Sequence, residues 1–131
     1  MSDKISLAFC VHSHQPVGNY PWVFETGTQD CYLPFLEHLV DYPDLKMTLH
    51  YTGALLEWFT ENRPEFYALI QTMVNRGQVE IMGGGFYEPI LSVIPEDDAR
   101  RQIALLNTFA RQRLGYVPRG LWCAERIWDP C

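Results

Sequence analysis

The sequence predicts an α/β fold of parallel strands joined by crossover helices. Three observations lead there. Short apolar runs of strand length alternate with stretches whose apolar residues recur at helical spacing. The order, strand, helix, strand, two helices, strand, helix, strand, calls for crossovers rather than hairpins. And the residues with chemistry to offer fall where the strand-like runs end: His12 and His14 after the first, His50 at the second, Glu80 and the run Gly83 to Gly85 at the third, Glu125 at the fourth. In parallel α/β folds that end of the strands carries the site.

Ile5 to Val11 is an apolar run stopped by His12-Ser13-His14-Gln15-Pro16. A loop rich in glycine and aromatics follows, from Val17 to Phe24. Leu33 to Val40 carries apolar residues at 35, 36, 39 and 40, with Pro34 suited to a first helical turn. Lys46 to Thr52 alternates, with Met47, Leu49 and Tyr51 on one face, and reads as the second strand. Thr52 is a candidate cap for a helix carrying Leu55, Leu56 and Phe59. Pro64 opens a helix with Phe66, Leu69, Ile70, Met73 and Val74 on one stripe, and Gly77 ends it. Gln78 to Met82 is the third strand. Pro95 starts the longest helix, near 96–114, with three acids in its positive first turn, an inner stripe of Ala99, Ile103, Leu106 and Ala110, and Gly115 at its end. The fourth strand is expected near 120–125.

The balance of charge narrows the partners. A net charge of −6 argues against nucleic acid and anionic membranes. No apolar run approaches a membrane span, and the first residues lack the basic start of a signal peptide. Cys10, Cys31, Cys123 and Cys131 form no C-x-x-C pair, and Cys10 and Cys123 fall inside apolar runs, where a buried, reduced thiol is expected. A cytoplasmic location follows as the expectation.

Candidate chemistry centres on Gly120 to Pro130. An apolar segment, Leu121 to Ala124, delivers Glu125-Arg126, and Trp122 and Trp128 flank the pair. A carboxylate held by an arginine between two indoles suits a flat, hydroxylated ligand; an ion pair at a strand end is the plain alternative. His12 and His14, two apart on a strand, share a face. A zinc pair, hydrogen bonds to a sugar or carboxylate, and a structural role all fit that spacing. Glu80, between Val79 and Ile81, needs a partner or a cavity, since an unpaired buried carboxylate is costly. The glycine run is no phosphate loop, because G-x-G-x-x-G would require glycine where Glu88 stands. Trp22, Phe86, Tyr87, Trp122 and Trp128 could stack on sugar rings, though aromatics serve cores more often.

At these residues the sequence resembles a known family. His14-Gln15-Pro16, Gly77-Gln78-Val79-Glu80 and Trp122-Cys123-Ala124-Glu125-Arg126-Ile127-Trp128 are similar, in order and spacing, to the first three signature regions of glycoside hydrolase family 57. Val17 to Tyr20, Trp22 to Glu25 and Gly85 to Leu91 resemble its 4-α-glucanotransferase and α-amylase branch. The resemblance implies the N-terminal half of a (β/α)7 barrel and a retaining mechanism on α-1,4-glucans, hydrolytic or transglycosylating. It matches Glu125 to the nucleophile, and His14 and Glu80 to sugar-binding positions; His12, Trp122 and Arg126 complete the substrate-binding candidates. Such an enzyme needs a second carboxyl group about 5–5.5 Å from the nucleophile. The family's acid/base aspartate belongs to a fourth region with no counterpart in residues 1–131. The expectation is therefore an N-terminal portion of the barrel, inactive alone, taking an α-glucan or maltooligosaccharide and no cofactor or metal. Two alternatives stand beside it. One is a metal-dependent hydrolase or deacetylase with His12 and His14 as ligands, for which only His38, mid-helix, and His50 remain as further histidines. The other is a non-catalytic glucan-binding half barrel.

Overall fold

The computed structural model describes residues 5–129. Three strands, β1 (Cys10–Ser13), β2 (Met47–Tyr51) and β3 (Val79–Ile81), form a parallel sheet in sequential order. The helices are α1 (Pro21–Gly27), α2 (Leu33–Val40), α3 (Gly53–Asn62), α4 (Glu65–Asn75) and α5 (Glu96–Phe109), the last running on through a π-helical turn to Leu114. This is the α/β architecture read from the sequence.

The sheet's two faces differ because side chains alternate along a strand. Met47, Leu49, Val79 and Ile81 are buried, in one cluster with Leu36 and Leu39 of α2, Leu55 and Phe59 of α3, and Phe66, Ile70 and Met73 of α4. Phe59 and Phe66 stack with centroids 3.8 Å apart, and Tyr51 meets both edge-on. Cys10, His12, Thr48, His50 and Glu80 occupy the alternate positions, in register Cys10↔Thr48, His12↔His50 and Thr48↔Glu80. Cys10 is accordingly exposed rather than buried; Cys31 is exposed and Cys123 half-buried, all three as free thiols, while Cys131 lies outside the described residues.

Four expectations change. The first strand starts later and runs further, at Cys10–Ser13 instead of 5–11. The β2 partner begins only at Met47, and Thr48 N–H donates to Phe9 C=O at 2.9 Å; upstream of Met47 the chain is a turn, so residues 5–8 have no strand to pair with. Ile5 and Leu7 are exposed. The fourth strand shrinks to one parallel bridge, Gly83↔Leu121, with Gly83 N–H on Gly120 C=O and Trp122 N–H on Gly83 C=O. Beyond Gly83 the would-be partner bends away, its Phe86 C=O accepting from Gly53 N–H at 2.7 Å. The loop expected over 17–24 contains α1, with Pro21 in its first turn and only Phe24 buried. And Thr52 precedes α3 without capping it by its side chain; its Oγ1 accepts instead from Gln15 N–H at 3.4 Å, tying β1 to α3. Among the described residues no helix is long and apolar enough to cross a membrane.

Candidate active site

The C-terminal ends of the strands bring four segments together. His12 sits on β1 and His14 just beyond it; His50 is opposite His12 on β2. Glu88 arrives from the segment after β3, and Trp122 is laid beside it by the Gly83–Leu121 bridge. Gly84 is needed for this approach: a Cβ there would stand 3.0 Å from His50 Nε2 and 3.3 Å from the Trp122 carbonyl.

Glu88 is the hub. Its side chain is only 10% exposed. Oε1 accepts from Trp122 Nε1–H at 2.8 Å and lies 3.2 Å from His12 Nε2; Oε2 contacts His14 Nδ1. Its backbone is in the left-handed region, φ 54, where a side chain costs energy, so the aim of this carboxylate is held by its surroundings. The indole of Trp122 stacks on the His12 ring, centroids 4.2 Å apart and 11° from parallel. His12 Nδ1 meets His50 Nδ1 at 2.8 Å. Burial pushes the His50 imidazole down from 6.5 to about 3, with His12 and His14 adding to the effect. Burial also lowers His12, against the opposing pull of Glu88.

Glu125 and Arg126 both take left-handed backbone, φ 54 and 56, in a short turn at Ala124–Arg126. Glu125 is exposed and close enough to His12 to raise its proton affinity. The expected clasp between Glu125 and Arg126 does not form: among the described residues they make no ion pair, and Arg126 is exposed.

Glu80 shares the sheet face of His12 and His50 but stands mid-strand, beside Thr48, two register positions toward the N-terminal ends. It is exposed and lines a hollow with Leu7, Phe9, Lys46 and Gln78. The structure thus brings His12, His14 and Trp122 together, sets Glu125 within electrostatic reach, and leaves Glu80 lower on the face. Phe86 is buried in the core, whereas Trp22, Tyr87 and Trp128 are exposed. Sequence reasoning gave Glu88 no role, meeting it as the residue that breaks a glycine pattern and within the Gly85–Leu91 match, and named His50 at a strand end without assigning it to sugar binding. A glutamate delivered by a glycine run after a strand was the available signal.

His12, His14 and Glu88 each offer a ligand atom within 4.8 Å of the others, a two-histidine, one-carboxylate set that zinc accepts. His14 is hydrogen-bonded to Glu88 and His12 Nε2 rests 3.2 Å from the same carboxylate, and the second nitrogen of His12 is taken by His50 rather than by the carboxylate or carbonyl usual behind a metal-bound histidine.

The sequence profile of Glycosyl hydrolase family 57 matches residues 8–131. The chain belongs to that family. Among family 57 relatives it is 48% identical over 130 residues to an α-amylase of Pyrococcus furiosus, covering 99% of this chain and 20% of that one. It is 44% identical over 128 residues to a 4-α-glucanotransferase of Thermococcus litoralis, covering 98% and 19%. The crystal structure of the 4-α-glucanotransferase from Thermococcus litoralis superposes with a TM-score of 0.91 over 94% of this chain and 19% of that one, at 46% identity. A family 4 acetyl xylan esterase from Clostridium thermocellum, 20% identical with a TM-score of 0.59 over 94% of this chain and 50% of its own, shares the fold. The chain spans about a fifth of the length of the curated relatives it matches.

Proposed function

We propose that residues 1–131 are the N-terminal portion of the catalytic barrel of a retaining glycoside hydrolase or transglycosylase acting on α-1,4-glucans, with Glu125 as nucleophile. The observation that carries this reading is the placement of Glu125: an exposed carboxylate on left-handed backbone, at the C-terminal ends of the strands, beside the His12–Trp122 stack. Such a backbone is maintained against its cost where a side chain must be aimed. The motif resemblance matches Glu125 to the family's nucleophile, and membership of the family and the names of the relatives fit a glucan-active enzyme. Attack by Glu125 on the anomeric carbon expels the leaving oxygen, which takes its proton from a second carboxyl group; water or an acceptor sugar then releases the glycosyl-enzyme. Hydrolysis and glucan transfer differ only in that acceptor. His14 and Glu80 are assigned to sugar binding, with His12, Trp122 and Arg126. The acid/base is assigned to a segment outside residues 1–131, and a cytoplasmic site of action fits an acidic chain whose Cys10, Cys31 and Cys123 are free thiols.

Trapping tests the assignment. A fluorinated α-glucosyl fluoride, incubated with the full-length protein, should label the peptide that contains Glu125, and Glu125→Gln should abolish the label together with activity on maltoheptaose. A label on any other carboxylate sinks the reading. The proximity of His12, His14 and Glu88 favours a second reading, metal-dependent hydrolysis. Stoichiometric zinc in purified protein, with activity lost on chelation, would put it first.

A further inference from the structure

The contacts around Glu88 specify which nitrogen of each imidazole carries a proton. An ionised carboxylate only accepts. His14 Nδ1, against Oε2, is therefore an N–H group, as is the indole of Trp122, while His12 Nε2 lies 3.2 Å from Oε1 without a hydrogen bond to it. In a neutral imidazole the other nitrogen is then bare. Across the 2.8 Å contact between His12 Nδ1 and His50 Nδ1 one nitrogen donates and the other accepts. His50 Nε2 is buried and has no hydrogen-bond partner among the described residues. A bare lone pair can be left there more cheaply than a stranded N–H, so His50 Nδ1–H is the donor and the proton of a neutral His12 is on Nε2, facing Glu88. Burial independently disfavours a charge on His50 and on His12. At the other end, the His14 ring is 42% exposed, and its Nε2 has no partner among the described residues.

We infer that Glu88 is a positioning residue for carbohydrate binding: it holds His14 as the Nδ1–H tautomer and so presents Nε2 as an acceptor for a glucan hydroxyl. Two hydrogen-bond donors from separate segments, His14 and Trp122, meet on this carboxylate with His12 Nε2 3.2 Å away, and its left-handed backbone marks a position held for aim rather than for local comfort. The inference rests on the reading that a glucan enters at this end of the strands. Glu88 itself touches no reacting atom and acts through His14. It would also set the sense of selectivity, since a lone pair at Nε2 takes a hydroxyl that donates and refuses an ether oxygen, which can only accept.

Nitrogen-15 spectra of the histidines in the full-length protein, taken where His14 is neutral, read this directly. The wild type should show protons on His12 Nε2, His14 Nδ1 and His50 Nδ1. In Glu88→Gln the amide keeps its oxygen for Trp122 and turns its NH2 to His14, which should move the His14 proton to Nε2. Maltoheptaose affinity should then fall about 10- to 100-fold, with KM rising more than kcat drops. A wild-type His14 protonated on Nε2, an unchanged tautomer in Glu88→Gln, or an unchanged affinity would overturn the inference; so would zinc bound at His12 and His14. The wild-type spectrum alone decides if the variant fails to fold. Glu125→Gln should leave all three tautomers in place. If it keeps full turnover, the nucleophile reading fails while the His14 assignment stands. If the tautomers are as expected but no glucan binds, the inference falls with the substrate reading beneath it.

Discussion

Glu88 and Glu125 share a backbone conformation and nothing else. Both have φ 54, the left-handed region that L side chains avoid. Glu88 is nearly enclosed, and its two oxygens are occupied by His12, His14 and Trp122. Glu125 is exposed, and its neighbour Arg126, also left-handed, makes no ion pair with it among the described residues. The same local strain thus serves two ends. At Glu88 it is offset by hydrogen bonds inside the protein, and the carboxylate becomes part of the scaffold. At Glu125 it is not offset that way, which fits the proposal that this carboxylate is aimed at a bound sugar.

The comparison breaks most visibly in turnover. Glu125→Gln should lower kcat on maltoheptaose by about 10⁴-fold or more in the full-length protein while leaving the urea midpoint close to wild type; a variant that unfolds early would place Glu125 in the scaffold too. Acid stability separates the two regions next. His50 protonates near 6.5 when unfolded and near 3 when folded, so the unfolded chain binds more protons between those values. Stability is full above 6.5 and should fall, by on the order of a few kcal/mol, as pH drops toward 3. His50→Gln should flatten that slope in denaturation curves taken across the window. Replacing each glutamate by glycine sharpens the contrast further. Glu88→Gly relieves backbone strain but strands the half-buried Trp122 donor and the His14 N–H, for a net loss of about 1 kcal/mol. Trp122→Phe keeps the stack on His12 and removes one donor to Glu88, for a loss of about 1 kcal/mol. Glu125→Gly should gain up to about 1 kcal/mol, because strain is relieved and no internal bond is lost. Chemical denaturation of the series would test the ranking, and equal losses at Glu88 and Glu125 would erase the distinction.

The sequence by itself determined the layers. Period-two alternation in Met47-Thr48-Leu49 and the stripe Phe66-Ile70-Met73 announce which faces are buried, since burial of apolar surface is what that spacing achieves. It also carried the family's motifs, because Glu125 and its flanking tryptophans lie together in the chain. Proline and glycine punctuation marked the ends of α4 and α5, where Gly77 and Gly115 take the positive φ that a helix stop requires. Tertiary structure decided what depends on partners distant in sequence. Whether residues 5–8 form a strand hung on where β2 begins, not on their own hydropathy. Leu121 became a single bridge because the neighbouring chain, at Gly84, bends away toward α3. Glu88 joined His12, His14 and Trp122 across separations of up to 76 positions because carboxylate geometry, rather than any local spacing, holds them. A hydrogen bond acts over about 3 Å of space whatever the length of chain between its ends, so the residue at the centre of the site was the one that no local pattern could single out.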